Sequence, residues 1–266
     1  MDRKMTPDGI AARTLAAVGI ARAAGELQRR YFADRASIGT TFKGPQDYLT
    51  VADGAVEKLV FGHLAAAFPT DDVLGEETGG SRDPRALWVV DPIDGTANFA
   101  NGIEHFCISI AFVAEGREEI GVIYDPMRDE MFLARRGFGA TCNGRPMKAV
   151  SNGDLARSQV ELGWSTRRSV ESYTAMIEKA VKAGASFRRA GSGALGIAYV
   201  ADGRCDGYAE LHINSWDCLA GLLMVREAGG RTNDFLGAGG LGEGAAVQAA
   251  GAAFYDAFSK VITGIV

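Results

Sequence analysis

Large apolar residues fall at Ile10, Leu15, Val18, Leu27 and Tyr31 with alanines between them, a spacing that predicts a helical stripe over residues 8–32 behind the Pro7-Asp8 start signal. A second helix is predicted from about residue 51 to 67, stopped before Pro69. Both should lie against a sheet, because four strand-like runs follow: ALWVV, FCISIAFV, EIGVIYD and EMFLARR. Their connections are short and carry glycine or charge, so these neighbours are expected to be antiparallel; parallel strands need long crossovers. GFGATCNGRP reads as turns, with Asn143-Gly144 suited to a positive-φ pair.

Beyond SNGD the pattern changes. QVELGW reads as a strand, SVESYTAMIEKAVKAG as a helix and SFRRAG as a strand; GALGIAYVADG then gives a short helix, DGYAEL a strand and WDCLAGLLMVREAGG a helix stopped by two glycines. GAGGLGEG is expected to be a loop. The fold class expected is an α+β N-terminal part, 1–150, and an α/β C-terminal part, 151–266, with the boundary near Val150. There are no internal repeats.

At 266 residues the chain can bury a large core; a folded surface of about 11,000 Å² is expected against roughly 40,000 Å² extended. Composition is that of an ordinary soluble protein apart from an excess of glycine, 35 residues, which calls for many turns and close backbone approaches. The net charge of −5 argues against a broad nucleic-acid or anionic-membrane surface. MDRKMTPDG has no apolar segment behind its charges, so no signal peptide is expected, and no run has the length of a membrane span. Cys107, Cys142, Cys205 and Cys218 are widely spaced without a CxxC, which suits reduced thiols in a cytoplasmic protein.

The candidate chemistry lies in three acidic loops. DPIDGTAN, residues 91–98, sets Asp91 and Asp94 three positions apart behind LWVV. A lone D-x-x-D is ordinarily a pair of turn or helix caps. Two carboxylates aimed into one pocket would raise each other's proton affinity unless a cation sat between them. VLGEETGG places Glu76 and Glu77 after a strand-like run, where a solvated face is the plain alternative, and SWD places Asp217 in a helix's first turn, where a cap is. Together the three loops suit a hard, oxygen-seeking cation such as Mg²⁺. His63, His105 and His212 do not cluster, so zinc is disfavoured and structural roles are expected for them. Gly95-Thr96-Ala97-Asn98 can open a helix toward a phosphate, and Thr96 can orient a water. Two ions roughly 4 Å apart would stabilise the attacking and leaving oxygens of a phosphate ester.

Rival motifs do not fit. The haloacid dehalogenase D-x-D-G-T/V needs one residue between its aspartates, whereas two separate Asp91 from Asp94. There is no G-x-x-x-x-G-K-[ST], and GSGALG at Gly191 is followed by too brief a helix for a dinucleotide site.

GEET at 75–78, WVVDPIDGTANF at 88–99 and WDCLAG at 216–221 together closely resemble the three motifs of the inositol monophosphatase family, and the resemblance spans nearly the whole chain. It implies a layered α-β-α-β-α sandwich, Mg²⁺-dependent and lithium-sensitive phosphomonoester hydrolysis, and a homodimer. It further implies that Glu76, Asp91 and the Ile93 carbonyl ligate one Mg²⁺ and that Asp91, Asp94 and Asp217 hold a second. Glu76, with Glu77, would place a weaker third ion, so most ligands would lie in 1–150 while 151–266 completes the site. Asp53, in DYLTVAD, would pair with Thr96 to orient the attacking water, making Glu76, Asp53 and Thr96 the catalytic group. Lys43 and Asp47 would lie near the metal-bound waters, although Lys43 in TFKGP reads equally as solvated; Thr50 would support that loop.

Substrate contacts implied are Asp94, Gly95, Thr96, the segment Gly191, Ser192 and Gly193, and Glu210, seven residues before Asp217. A carboxylate at Glu210 suits adjacent hydroxyls or an ammonium. Glu210 does not choose between these, and inositol 1-phosphate is the first expectation that the resemblance implies. Histidinol phosphate, fructose 1,6-bisphosphate and 3′-phosphoadenosine 5′-phosphate are the alternatives, and a noncatalytic regulatory partner of the transcription machinery is an alternative of another class. No nucleic acid and no membrane is expected to be required. Ala97 stands where the family often has Thr or Lys, and Glu104 where it often has Pro, a change at the pocket entrance. Cys218 is expected to be an inert packing residue.

Overall fold

The computed structural model describes residues 6–35, 40–44, 47–149 and 153–262, with the backbone path alone at 40–44 and 47–49. The boundary expected near Val150 lies outside the described residues. The chain opens with α1 (Pro7–Ala33), the hairpin β1 (Thr40–Gly44) and β2 (Asp47–Thr50), and α2 (Val51–Ala67). Then come β3 (Asp72–Gly75), β4 (Gly79–Gly80), β5 (Ala86–Asp94), the short α3 (Thr96–Ala100), β6 (Cys107–Ala114), β7 (Arg117–Asp125), β8 (Glu130–Arg135), β9 (Ala140–Cys142) and β10 (Arg145–Pro146). The second half runs β11 (Gln159–Leu162), α4 (Val170–Lys182), β12 (Ser186–Arg188), α5 (Gly193–Ala201), β13 (Gly207–Ile213), α6 (Ser215–Glu227), β14 (Arg231–Thr232), α7 (Gly240–Glu243), β15 (Ala245–Ala250) and α8 (Tyr255–Ile262).

Eight strands form one sheet in the order β10-β9-β8-β7-β6-β5-β3-β4, and five form another in the order β12-β11-β13-β15-β14. The apolar faces make this a five-layer sandwich. On β5, Trp88 and Val90 pack with α1 and α2, whereas Leu87 and Val89 face α5 and α6, the two-residue alternation of a strand covered on both sides. Tyr208, Val247 and Ala249 of the second sheet close that middle layer from beyond, and Ala209 and Leu211 turn outward to α4 and α8. The layered α-β-α-β-α expectation is met.

Strands β5 to β8 are antiparallel as expected, but β3 runs parallel to β5, so the first sheet is mixed. In the second, β11 is parallel to both β12 and β13, the α/β pattern, while β15 is antiparallel to β13. Neither β15 nor α8 carries a sequence signal used above: AAVQAA lacks the branched and aromatic residues that mark a strand. The loop expected at GAGGLGEG contains the single turn of α7.

The stripe assigned to α1 needs correction. Leu15 is 77% exposed, and the buried face is Ile10, Ala17, Ile20, Ala21, Ala24, Gly25, Gln28 and Phe32. Small residues face inward because the helix lies close on the sheet: a Cβ at Gly25 would fall 2.4 Å from the Tyr124 ring. The Arg13 guanidinium fixes its angle, lying over the Phe68 and Phe112 rings and bonding both Asp71 oxygens at 2.7 and 2.6 Å. The turn at Asn143 and Gly144 has positive φ at both residues, as predicted.

Candidate active site

Three residues apart on a regular strand, Asp91 and Asp94 would point to opposite faces of the sheet. They do not, because β5 carries a bulge. Asp91 pairs with Ser109 and Asp94 with Cys107, so two residues, Pro92 and Ile93, oppose the single Ile108. Ser109 and Cys107 share a face, and the extra residue therefore returns both aspartates to one side. That side is the one where α6 begins. The Ser109 hydroxyl bonds the Trp216 carbonyl at 2.9 Å, and Asp217 follows immediately. Carboxylate oxygens of Asp91, Asp94 and Asp217 lie within 4.8 Å of one another.

Each carboxylate is held from its own chain segment. Asp91 accepts the Ile93 N–H at 2.9 Å. Asp217 accepts the Asn214 N–H at 3.1 Å as the third residue of its helix. Asp94 accepts the Ser192 hydroxyl and the N–H groups of Gly193 and Ala194, at 3.2 and 2.8 Å, from the start of α5. The Ser192 and Gly193 donors expected to meet substrate are thus engaged with Asp94, whose carboxylate takes advantage of the free amides at a helix N-terminus. Gly95 then turns the chain at φ +99°, where a Cβ would meet the His105 carbonyl at 2.9 Å, and α3 follows.

The cluster is electrostatically costly by itself. Burial, then the charges of Glu76, Asp217 and Asp94, push the Asp91 carboxyl well above its usual range. Burial and the Asp217 charge raise Asp94 to about 7 against the pull of its three donors, and burial raises Asp217. Three hard oxygen donors this close, two of them fully buried, fit a divalent cation of the Mg²⁺ type. Glu76 follows β3, whose Gly75 pairs with Val90, and its own N–H bonds the Val90 carbonyl at 3.2 Å, so it enters beside Asp91.

Asp53 and Thr96 meet as the resemblance implies. Asp53 is buried and accepts the Thr50 N–H at 2.8 Å and the Thr50 hydroxyl at 2.6 Å on one oxygen, and the Thr96 hydroxyl at 3.2 Å on the other. The Thr96 hydroxyl also reaches the Ile93 carbonyl at 2.9 Å. One hydrogen serves two acceptors there, which places the Thr96 oxygen beside both. Burial raises the Asp53 carboxyl, and the Thr50 bonds oppose that. The side chains of Lys43 and Asp47 lie outside the described residues; Thr50 caps α2.

Beside the cluster opens a pocket of about 160 Å³ whose walls include Asp94, Gly191, Ser192, Gly193, Glu210 and Asp217. Glu210 is buried and pushed to about 8 by that burial, with the Tyr208 hydroxyl donating to it at 2.6 Å. Glu161, Trp164, Arg189 and Tyr208 also line it. None of the four was foreseen; the close approach that Gly163 permits, where a Cβ would fall 2.0 Å from Glu210 Oε2, is visible only in the fold. Asn98 was missed as well: its amide bonds the His105 carbonyl at 2.7 Å and the Ala190 carbonyl at 2.9 Å, joining the two loops beside Asp94. His105 is held well toward its neutral form, at about 4, by burial and then by the charges of Arg128 and Arg188. All four cysteines are buried free thiols.

The sequence profile of the inositol monophosphatase family matches residues 11–260. The chain belongs to that family. A Pasteurella multocida relative called Nus factor SuhB is 40% identical over 225 residues, 83% of this chain and 84% of its own length. Among solved structures, the extragenic suppressor protein suhB of Bartonella henselae superposes with a TM-score of 0.88 at 32% identity, over 96% of this chain and 100% of that one. The IMPase of Thermotoga maritima gives 0.83 at 29%, over 94% and 96%. Membership in this family brings a phosphatase-type fold around the acidic cluster just described. Among the described residues no helix is long and apolar enough to cross a membrane.

Proposed function

We propose that the chain hydrolyses a phosphate monoester, with inositol 1-phosphate as preferred substrate. The observation that carries this reading is the approach of Asp91, Asp94 and Asp217 to within 4.8 Å beside the Asp53–Thr96 bond. Glu76, Asp91, the Ile93 carbonyl, Asp94 and Asp217 would hold two or three Mg²⁺ ions. Such ions, when bound, supply Lewis-acid stabilisation of the phosphoryl oxygens and a water of lowered pKa. The chain's own part is positioning. Asp53 accepts a hydrogen bond from the Thr96 hydroxyl, so the Thr96 oxygen can accept one from the attacking water and orient its lone pair toward phosphorus. Asp94, fixed by the Ser192, Gly193 and Ala194 donors, presents its outer edge and the Gly95-Thr96 turn to the ester. Glu210 and Tyr208 receive the departing alcohol: an adjacent pair of hydroxyls meets the acceptor positions of the buried Glu210 carboxyl that the Tyr208 hydroxyl leaves open.

The test is phosphate release, at matched Mg²⁺ and protein, from inositol 1-phosphate, histidinol phosphate, fructose 1,6-bisphosphate and 3′-phosphoadenosine 5′-phosphate. The highest kcat/KM is expected for inositol 1-phosphate. A much higher value for histidinol phosphate would replace the substrate, and release from none of the four would remove the enzymatic reading. A lithium-sensitive homodimer in the cytoplasm completes this proposal.

The name of the Pasteurella multocida relative, a Nus factor, favours a second reading, a noncatalytic partner of the transcription machinery. A chain that releases no phosphate yet binds a transcribing polymerase would support it. The full set of carboxylates and the Asp53–Thr96 pair favour hydrolysis, because a purely docking protein has no need to keep three repelling carboxylates together.

A further inference from the structure

Glu57 is a buried carboxylate, 1% exposed, that pairs with no cation among the described residues. Its Oε1 accepts the Glu77 N–H at 3.1 Å and the Thr78 N–H at 3.4 Å, the two amides that follow Glu76 in the GEET loop. Gly75 is what lets it in: a Cβ there would fall 2.1 Å from that same Oε1 and 2.6 Å from Phe61 Cζ. Asp53 lies four residues earlier on α2, on the same face and about 6 Å away along the axis. It holds Thr96 and, with it, the far end of DPIDGT. One face of one helix therefore grips both acidic loops, and the pitch of the helix sets the distance between the grips.

We propose that Glu57 is a positioning residue which fixes Glu76 against Asp91 and so sets the affinity of the carboxylate cluster for a divalent cation. The inference rests on reading that cluster as a cation site. The Glu76 N–H is itself held by the Val90 carbonyl, and β4 beyond the loop is only two residues long. Loss of Glu57 leaves the strand pairing intact but removes the acceptor of the two amides that follow Glu76, the peptide planes next to its side chain. Such outer contacts typically tune metal affinity by about 10- to 100-fold.

The experiment is calorimetric titration of Mg²⁺ into the purified full-length chain without substrate, for wild type, Glu57→Ala, Glu57→Gln and Gly75→Ala. Glu57→Ala is expected to weaken binding by about tenfold or more, with unchanged far-UV circular dichroism and unchanged KM for substrate once Mg²⁺ saturates. Glu57→Gln keeps an oxygen acceptor and is expected to lose less than about threefold. Gly75→Ala, which expels the Glu57 side chain, should reproduce the alanine effect. A folded Glu57→Ala that binds Mg²⁺ as wild type does overturns the proposal. If that variant does not fold, wild-type affinity in Gly75→Ala does so instead. Wild-type protein that binds no Mg²⁺ would overturn the cation site itself, a separate failure.

Discussion

The first turns of α2 and α6 are built alike and do different things. In each, the third residue of the helix is an aspartate that accepts the N–H of the residue before the helix: Asp53 from Thr50 at 2.8 Å and Asp217 from Asn214 at 3.1 Å. Local chemistry alone makes both of them caps. What separates them is the tertiary neighbour of the other oxygen. Asp53 receives a second hydroxyl, from Thr96, and becomes a satisfied, oriented acceptor. Asp217 meets Asp91 and Asp94 and becomes one third of an anionic cluster. A cap is thus a rigid mount, and the facing loop decides whether it carries a hydrogen-bonded acceptor or one corner of an anionic cluster.

The largest effect should come from removing the charge at α6. Asn at 217 can still accept the Asn214 N–H, so Asp217→Asn spares the cap while it breaks the cluster. Phosphate release is expected to fall on the order of 1000-fold. In EDTA the same variant should unfold at an equal or higher temperature, since burial and like charge hold Asp91 and Asp94 above their usual range in the wild type. Lost activity with lowered stability would mean that Asp217 is a cap and nothing more.

The matching change at α2, Asp53→Asn, should cost less and cost it differently. The cap again survives, but a neutral amide accepts the Thr96 hydrogen weakly. We expect kcat to fall about 100-fold with the Mg²⁺ dependence unmoved. A parallel loss of Mg²⁺ affinity would erase the distinction between the two helices.

Glu210 sharpens the contrast from the substrate side, because β13 leads directly into α6 and yet Glu210 faces the pocket. Glu210→Gln should change the kcat/KM ratio of inositol 1-phosphate to p-nitrophenyl phosphate by about tenfold and leave hydrolysis of the aryl ester nearly intact. Equal losses on both esters would place Glu210 with the cluster instead of the alcohol.

Much of this was legible in the chain because it is local. The span of α2, the positive-φ turn at Asn143-Gly144 and the strand ALWVV follow from the chain's local pattern, and the acidic loops follow from contiguous motifs. The bulge that turns Asp91 and Asp94 to one side was not legible, since nothing in DPID distinguishes a bulge from a turn before its partner strand is known. The inward face of α1 was misread for a related reason: periodicity marks the large residues, whereas a helix lying close on a sheet buries its alanines and Gly25 and leaves Leu15 outside. Glu161 and Trp164 come from β11 and the residues after it, Arg189 from just beyond β12 and Glu210 from β13, and only the second sheet's pairing of these strands brings them together.

The smallest expected effect tests whether the two caps are interchangeable mounts. Thr50 serves α2 through its hydroxyl, which accepts the Ala52 N–H at 3.2 Å and donates to Asp53 at 2.6 Å, besides the backbone bond. Thr50→Ala should cost about 1 kcal/mol of stability by loss of the cap and lower kcat a few-fold, because Asp53 loses one of the two donors that hold its far oxygen. Thr50→Ser keeps the hydroxyl and should restore both. Denaturant unfolding beside steady-state kinetics separates the two readouts. Stability lost with kcat unchanged would show that the Thr96 bond alone orients Asp53, and that the mount at α2 serves the fold and not the acceptor.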